Sequence, residues 1–163
     1  MFNTFSLRKN RKLSDEQKQQ FHKLLEIYSH SKHGQWISEI PFHQFEIRWC
    51  DAMTINSGIM GAYVPWFGRK VFLMPSEPPL IKNMSDPWPE LIMPTLVHEL
   101  RHAWQYQKNK ILYVICCLPG LRQITLERDA WKITEHANKF FSDYEKRCCA
   151  ARMERRRTCT NQP

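Results

Sequence analysis

The stretch Thr95-Leu96-Val97-His98-Glu99-Leu100-Arg101-His102-Ala103-Trp104 decides how this chain is read. Leu96, Leu100, Ala103 and Trp104 recur at helical spacing, which marks one packed face. His98 and His102 stand four positions apart, so a helix stacks both imidazoles on one side. Glu99 follows His98 directly and lies about 100° round the helix, beside the pair and not in line with it. Two imidazoles and one carboxylate therefore share a region of a single helical surface.

Around this stretch the chain divides by pattern. Proline suits a first helical position, so the motif helix is expected to begin around Pro94 and to run to about Asn109. Lys110 to Gly120 reads as an apolar connection, and a second helix covers roughly 121–146. Upstream, Ser14 and Gln17 form the capping box of a first helix on which Phe21, Leu24, Leu25 and Tyr28 recur at helical spacing, and Gly34 ends that run. Phe45 to Trp49 alternates as a strand does. Ile59–Val64 and Lys70–Met74 flank Pro65-Trp66-Phe67-Gly68-Arg69 as a hairpin. Residues 75–89 contain five prolines and read as an irregular connection. The order predicts an α+β domain with an N-terminal helix, a small antiparallel sheet, the His-Glu-x-x-His helix and a following helix.

The 163 residues favour one compact domain. The formal charge of +8 is concentrated at the ends. Residues 1–13 hold four cations and no acid, and 145–157 hold six cations against two acids, whereas 14–144 are balanced. The organisation expected is a basic N-terminal arm over 1–13, one folded domain over 14–146 and a basic, flexible tail over 147–163. Such arms can attract nucleic acid or simply solubilise the chain. Six cysteines occur, in no C-x-x-C spacing. With no apolar signal segment at the N-terminus they read as reduced thiols of a cytoplasmic protein. The longest apolar run, Ile111 to Leu118, is too short to span a bilayer, so no membrane partner is expected.

The spacing of His98 and His102 suits a single zinc ion, one per chain. Zinc lowers the pKa of a bound water towards about 7, and a carboxylate placed as Glu99 is can take its proton. A catalytic zinc takes three protein ligands. A third histidine six positions after His102 is ruled out, because Lys108 stands there. Leu126-Glu127-Arg128-Asp129-Ala130-Trp131 supplies carboxylates on the next helix instead. Glu127 is the leading third ligand, with Asp129, Glu135 and His136 as competitors; Asp129 is alternatively the acceptor that orients a ligand histidine. Tyr113, Arg122, Arg128, His136 and Tyr144 are all candidates to stabilise an oxyanion.

His98-Glu99-Leu100-Arg101-His102 followed by Glu127-Arg128-Asp129-Ala130 resembles the gluzincin-type metallopeptidases, whose pattern is His-Glu-x-x-His then Glu-x-x-Ala. The element order is similar to SprT-like proteins and minigluzincins over about residues 45–140. The resemblance implies His98, His102 and Glu127 as metal ligands, Glu99 as catalytic base, and an edge strand before the motif helix that aligns a peptide; Val71-Phe72-Leu73-Met74 is the matching segment. Arg101 departs from the uncharged residue usual there, and Trp131 stands where some of these families place Asp.

The expected activity is metalloendopeptidase hydrolysis of a protein or peptide substrate. The alternative is a nucleic-acid-associated binding protein with a structural or inactive zinc site. Substrate identity and oligomeric state have no signature in the sequence.

Overall fold

The computed structural model describes residues 10–50, 61–63, 65, 68–73, 88–118, 121 and 123–160. The first helix, α1 (Asp15–Ser29), starts as the sequence demands. Ser14 Oγ accepts from the Gln17 amide at 3.2 Å and Gln17 Oε1 accepts from the Ser14 amide at 3.1 Å, which closes the capping box. Phe21, Leu24, Leu25 and Tyr28 form its buried side. The chain then folds back so tightly at Gly34 that a Cβ there would collide with the Tyr28 carbonyl, which is why glycine stands at that position.

Four short strands form one sheet in the order β1-β2-β4-β3, from β1 (Asn10–Lys12), β2 (Glu46–Cys50), β3 (Gly61–Tyr63) and β4 (Lys70–Leu73). The hairpin β3–β4 is antiparallel with Tyr63 opposite Val71, and Gly68 in its loop takes a positive φ of 77°. β1 also pairs antiparallel to β2, so the end of the basic N-terminal arm is a strand. β2 and β4 run parallel, with Ile47 opposite Val71, and this corrects the all-antiparallel sheet expected from sequence. The cause is visible in burial. Val71, Phe72 and Leu73 are all buried, as an unbroken apolar strand in the middle of a sheet must be. β3, which carries Gly61, Ala62 and Tyr63, is left at the edge beside the motif helix. The segment expected at the edge, Val71–Met74, is therefore central as far as it is described, and Met74 lies outside the described residues.

The motif helix α2 runs over Trp88–Lys108, six residues earlier than the Pro94 start expected. Met93 is fully buried and Ile92 packs on the core, so tertiary burial carries the helix through a proline that local rules place at its start. Residues Lys110–Cys116, expected as a connection, form α3, capped by Asn109 Oδ1 accepting from the Leu112 amide at 2.9 Å. Tyr113 and Cys116 face inward against Leu126, while Ile111, Leu112, Val114 and Ile115 face outward. A π-helical turn over Gln123–Glu127 leads into α4 (Arg128–Thr160). α4 continues as helix to Thr160, through most of the segment expected as a tail.

The fold is thus α+β, with helices on a small mixed sheet. α2 lies between the sheet and α4, and its buried Leu96, Val97, Leu100 and Ala103 meet Val71 and Leu73 on one side and Ala137 and Phe141 on the other. No described helix is long and apolar enough to cross a membrane. Cys116, Cys117, Cys148 and Cys149 form no disulfide; the side chains of Cys50 and Cys159 lie outside the described residues.

Candidate metal centre

His98 and His102 are carried on the face of α2 turned towards α4, and Glu127 enters from the end of the π-helical turn. Ala130, fully buried one turn later, lets the two helices approach closely. The three ligand atoms converge. His98 Nε2 and His102 Nε2 are 3.1 Å apart, and Glu127 Oε2 lies 3.2 Å from the first and 3.5 Å from the second. Ligands about 2.05 Å from a tetrahedral zinc are separated by about 3.4 Å, so these three separations fit three corners of that tetrahedron. Among the described residues, these three are the group of histidines, cysteines and acids able to hold a metal ion. The competitors are elsewhere: Asp129 is engaged by Arg101, Glu135 is exposed, and His136 stacks on His33 with ring centroids 3.7 Å apart.

The protonation of both imidazoles follows from their second nitrogens. Thr134 Oγ1 donates its only hydrogen to the Ala130 carbonyl at 2.8 Å, so towards His98 Nδ1, 2.9 Å away, it can only accept. His98 therefore carries its proton on Nδ1 and leaves the Nε2 lone pair facing the centre. Gln105 Nε2 donates to the Leu126 carbonyl at 3.1 Å and to Asp129 Oδ2 at 2.8 Å. That fixes the amide so that Oε1 accepts from His102 Nδ1 at 2.9 Å, and the second lone pair turns inward as well. Two lone pairs and a carboxylate oxygen facing one point repel each other unless a cation or a proton lies between them.

Glu99 sits beside this group, buried between α2 and the edge strand. Its Oε2 accepts from the Tyr63 amide of β3 at 2.7 Å. Gly61, two residues earlier on β3, allows that closeness: a Cβ there would sit 2.9 Å from Glu99 Cγ and 2.8 Å from Thr95 Cγ2. Burial pushes the Glu99 carboxyl above the ordinary carboxylate range, against the pull of both histidines and the Tyr63 amide. Burial alone would lower His102, but the Glu127 hydrogen bond and the Glu99 charge outweigh it and raise this imidazole. Asp129 is held low, against burial, by Arg101 and Gln105.

Arg101, the unusual residue within the motif, has a definite place. Its Nε donates to Asp129 Oδ2 at 2.7 Å and its Nη2 to Oδ1 at 3.2 Å, while the guanidinium lies 3.9 Å over the Trp104 ring. The charge bridges α2 to α4 instead of obstructing their packing. Of the oxyanion candidates, Tyr113 is buried on the inner face of α3 against Leu126, and Tyr144 is hydrogen-bonded to Cys148. Arg128 is exposed, and the side chain of Arg122 is outside the described residues.

Sequence reasoning missed Thr134, Tyr63 and Gly61. Thr134 stands seven residues after Glu127, two turns along the same face, a spacing that could have flagged it. The glycine in a strand was a second available signal, since it marks close backbone approach. No family model, curated protein or solved structure matches this chain.

Proposed function

We propose that this chain is a zinc-dependent metallopeptidase of gluzincin type, with His98, His102 and Glu127 as ligands and Glu99 as general base. The observation that carries the reading is the set of three ligand separations, 3.1, 3.2 and 3.5 Å, around lone pairs whose direction Thr134 and Gln105 fix. Zinc bound there would supply Lewis acidity towards a peptide carbonyl and acidify the attacking water.

The chain's own residues do the rest. His98 and His102 are held with their Nδ1 protons engaged, so neither ring can turn away. Glu99, kept out of bulk water, takes a proton from the attacking water and returns it to the leaving amine. β3, at the edge of the sheet among the described residues and joined to Glu99 through Tyr63, is the strand on which an extended peptide aligns.

The test is zinc content per chain, with peptidase activity measured in parallel. Wild type is expected to hold about one zinc, Glu127→Ala to lose most of it, and Glu99→Gln to keep the metal but not the activity. Turnover surviving in Glu99→Gln would remove Glu99 from the role of base. A folded wild type that takes up no zinc would overturn the reading as a whole.

A further inference from the structure

Trp131 lies four residues after Glu127, one turn further along the face of α4 that meets the metal centre. Its ring stands edge-on to His98, with centroids 5.1 Å apart and planes inclined by 65°. It is nonetheless 56% exposed, whereas Trp36 is buried and Trp104 half-buried. Folding does not account for it. The tether of His98 is Thr134, through Nδ1, so the indole is not needed to orient that ring. A solvent-facing helix position favours alanine or a charged residue over tryptophan, which loses rotamer freedom there and leaves apolar surface in water.

His98 Nε2, His102 Nε2 and Glu127 Oε2 converge on one point, and a zinc held by them would meet its water and the reacting carbonyl on the side these atoms leave open. The indole stands on the His98 side of that group and is largely open to solvent, so a substrate side chain lying beside His98 would meet it. A flat apolar surface of this kind takes an aliphatic or aromatic group, with stacking adding to simple burial. Arg128 and Lys132, within three residues of Trp131 on α4, are both exposed, against the exposed Glu135 and an Asp129 carboxylate already paired with Arg101, so the flanking charge does not favour a cationic side chain.

We propose that Trp131 is a wall of the substrate subsite and selects a bulky apolar side chain beside the bond to be cut. The inference rests on the peptidase reading above and goes further by naming the class of residue the site takes. It concerns recognition, so it can be read without turnover.

The experiment measures binding of phenylalanine hydroxamate and glycine hydroxamate to the zinc-loaded protein by calorimetry, with zinc content determined on the same samples. Both probes offer the same chelating group and differ in the benzyl side chain. Wild type is expected to prefer the phenylalanine probe about tenfold or more, Trp131→Ala to lose the preference, and Trp131→Phe to keep part of it, all with unchanged zinc content. Zinc bound with no preference in wild type, or with the preference intact in Trp131→Ala, would overturn the subsite and leave the metal reading standing. Loss of zinc in Trp131→Ala would also overturn it, by making the indole a support for His98. A wild type that binds no zinc would remove both readings.

Discussion

Thr134→Val probes the orientation of His98 more cleanly than removal of any ligand. Valine keeps the shape of threonine and removes the oxygen that accepts from His98 Nδ1 at 2.9 Å. Thr134 is buried, so water cannot easily replace that oxygen. Left as it is, the imidazole would hold a buried N–H without a partner, at a cost of about 1–3 kcal/mol. The metal-free protein has an escape, because the proton can move to Nε2, where Glu127 Oε2 lies 3.2 Å away and accepts it. Metal-free stability should then fall by less than that range. The escape places a proton where the proposed zinc would bind, and loading the metal would have to reverse it. Loss of a hydrogen bond behind a ligand histidine weakens metal binding about 10–100-fold, or roughly 1.4–2.8 kcal/mol. Competition titration against a chromophoric chelator measures the shift, with Thr134→Ser, which restores an acceptor, as the control. A folded Thr134→Val protein whose zinc affinity stays within about twofold of wild type would refute the reasoning.

Gly61→Ala pushes a methyl group to 2.9 Å from Glu99 Cγ and 2.8 Å from Thr95 Cγ2; it should destabilise by about 1–3 kcal/mol and lower peptidase activity more than zinc content, read by thermal melts with metal analysis. Chelation should lower the melting temperature: zinc at 100 times its dissociation constant adds about 2.7 kcal/mol, roughly 5–10 °C for a chain of this length. Glu127→Ala should lose most of that gain, and an equal gain in the variant would place the metal elsewhere. If the basic ends bind nucleic acid, affinity for a random duplex should fall steeply between 50 and 200 mM salt; no binding at the lower salt would leave those charges as solubilising groups.

The parts of this protein that were legible in its sequence are those fixed within a few residues. The capping box at Ser14 and Gln17, the spacing of His98 and His102 and the hairpin at Gly68 are local, and the structure has each of them. Pro94 shows where local rules stop. Its preference for a helix start loses to the burial of Met93 and Ile92, a property of what surrounds the helix. The position of β4 was hidden for a similar reason, because strand order depends on partners that no single strand encodes. Thr134 and Gln105 could not be assigned roles until the rotation of α4 against α2 was known. α4's length is legible only in part: Ala150, Ala151, Met153 and Glu154 are good helix formers, whereas Arg152, Arg155, Arg156 and Arg157 equally fit a solvated basic segment.

The residue least expected in the motif helix explains why the centre and the helix packing are one construction. Arg101 holds Asp129, Asp129 accepts from Gln105, and Gln105 orients His102, so one of the proposed ligands is aimed by a chain that crosses to α4 and returns. The other proposed ligand histidine, His98, is aimed by Thr134, whose own hydroxyl is fixed by the Ala130 carbonyl. Ala130 is also the small, fully buried residue that lets α4 approach α2. Both imidazoles are thus oriented through α4, the helix that directly follows Glu127. A shift of α4 along α2 would turn both rings and withdraw the carboxylate together, because all three depend on one packing contact. That is why the charge at Arg101, foreign to close helix packing when read in sequence, acts in the fold as the clamp that keeps the two helices in register.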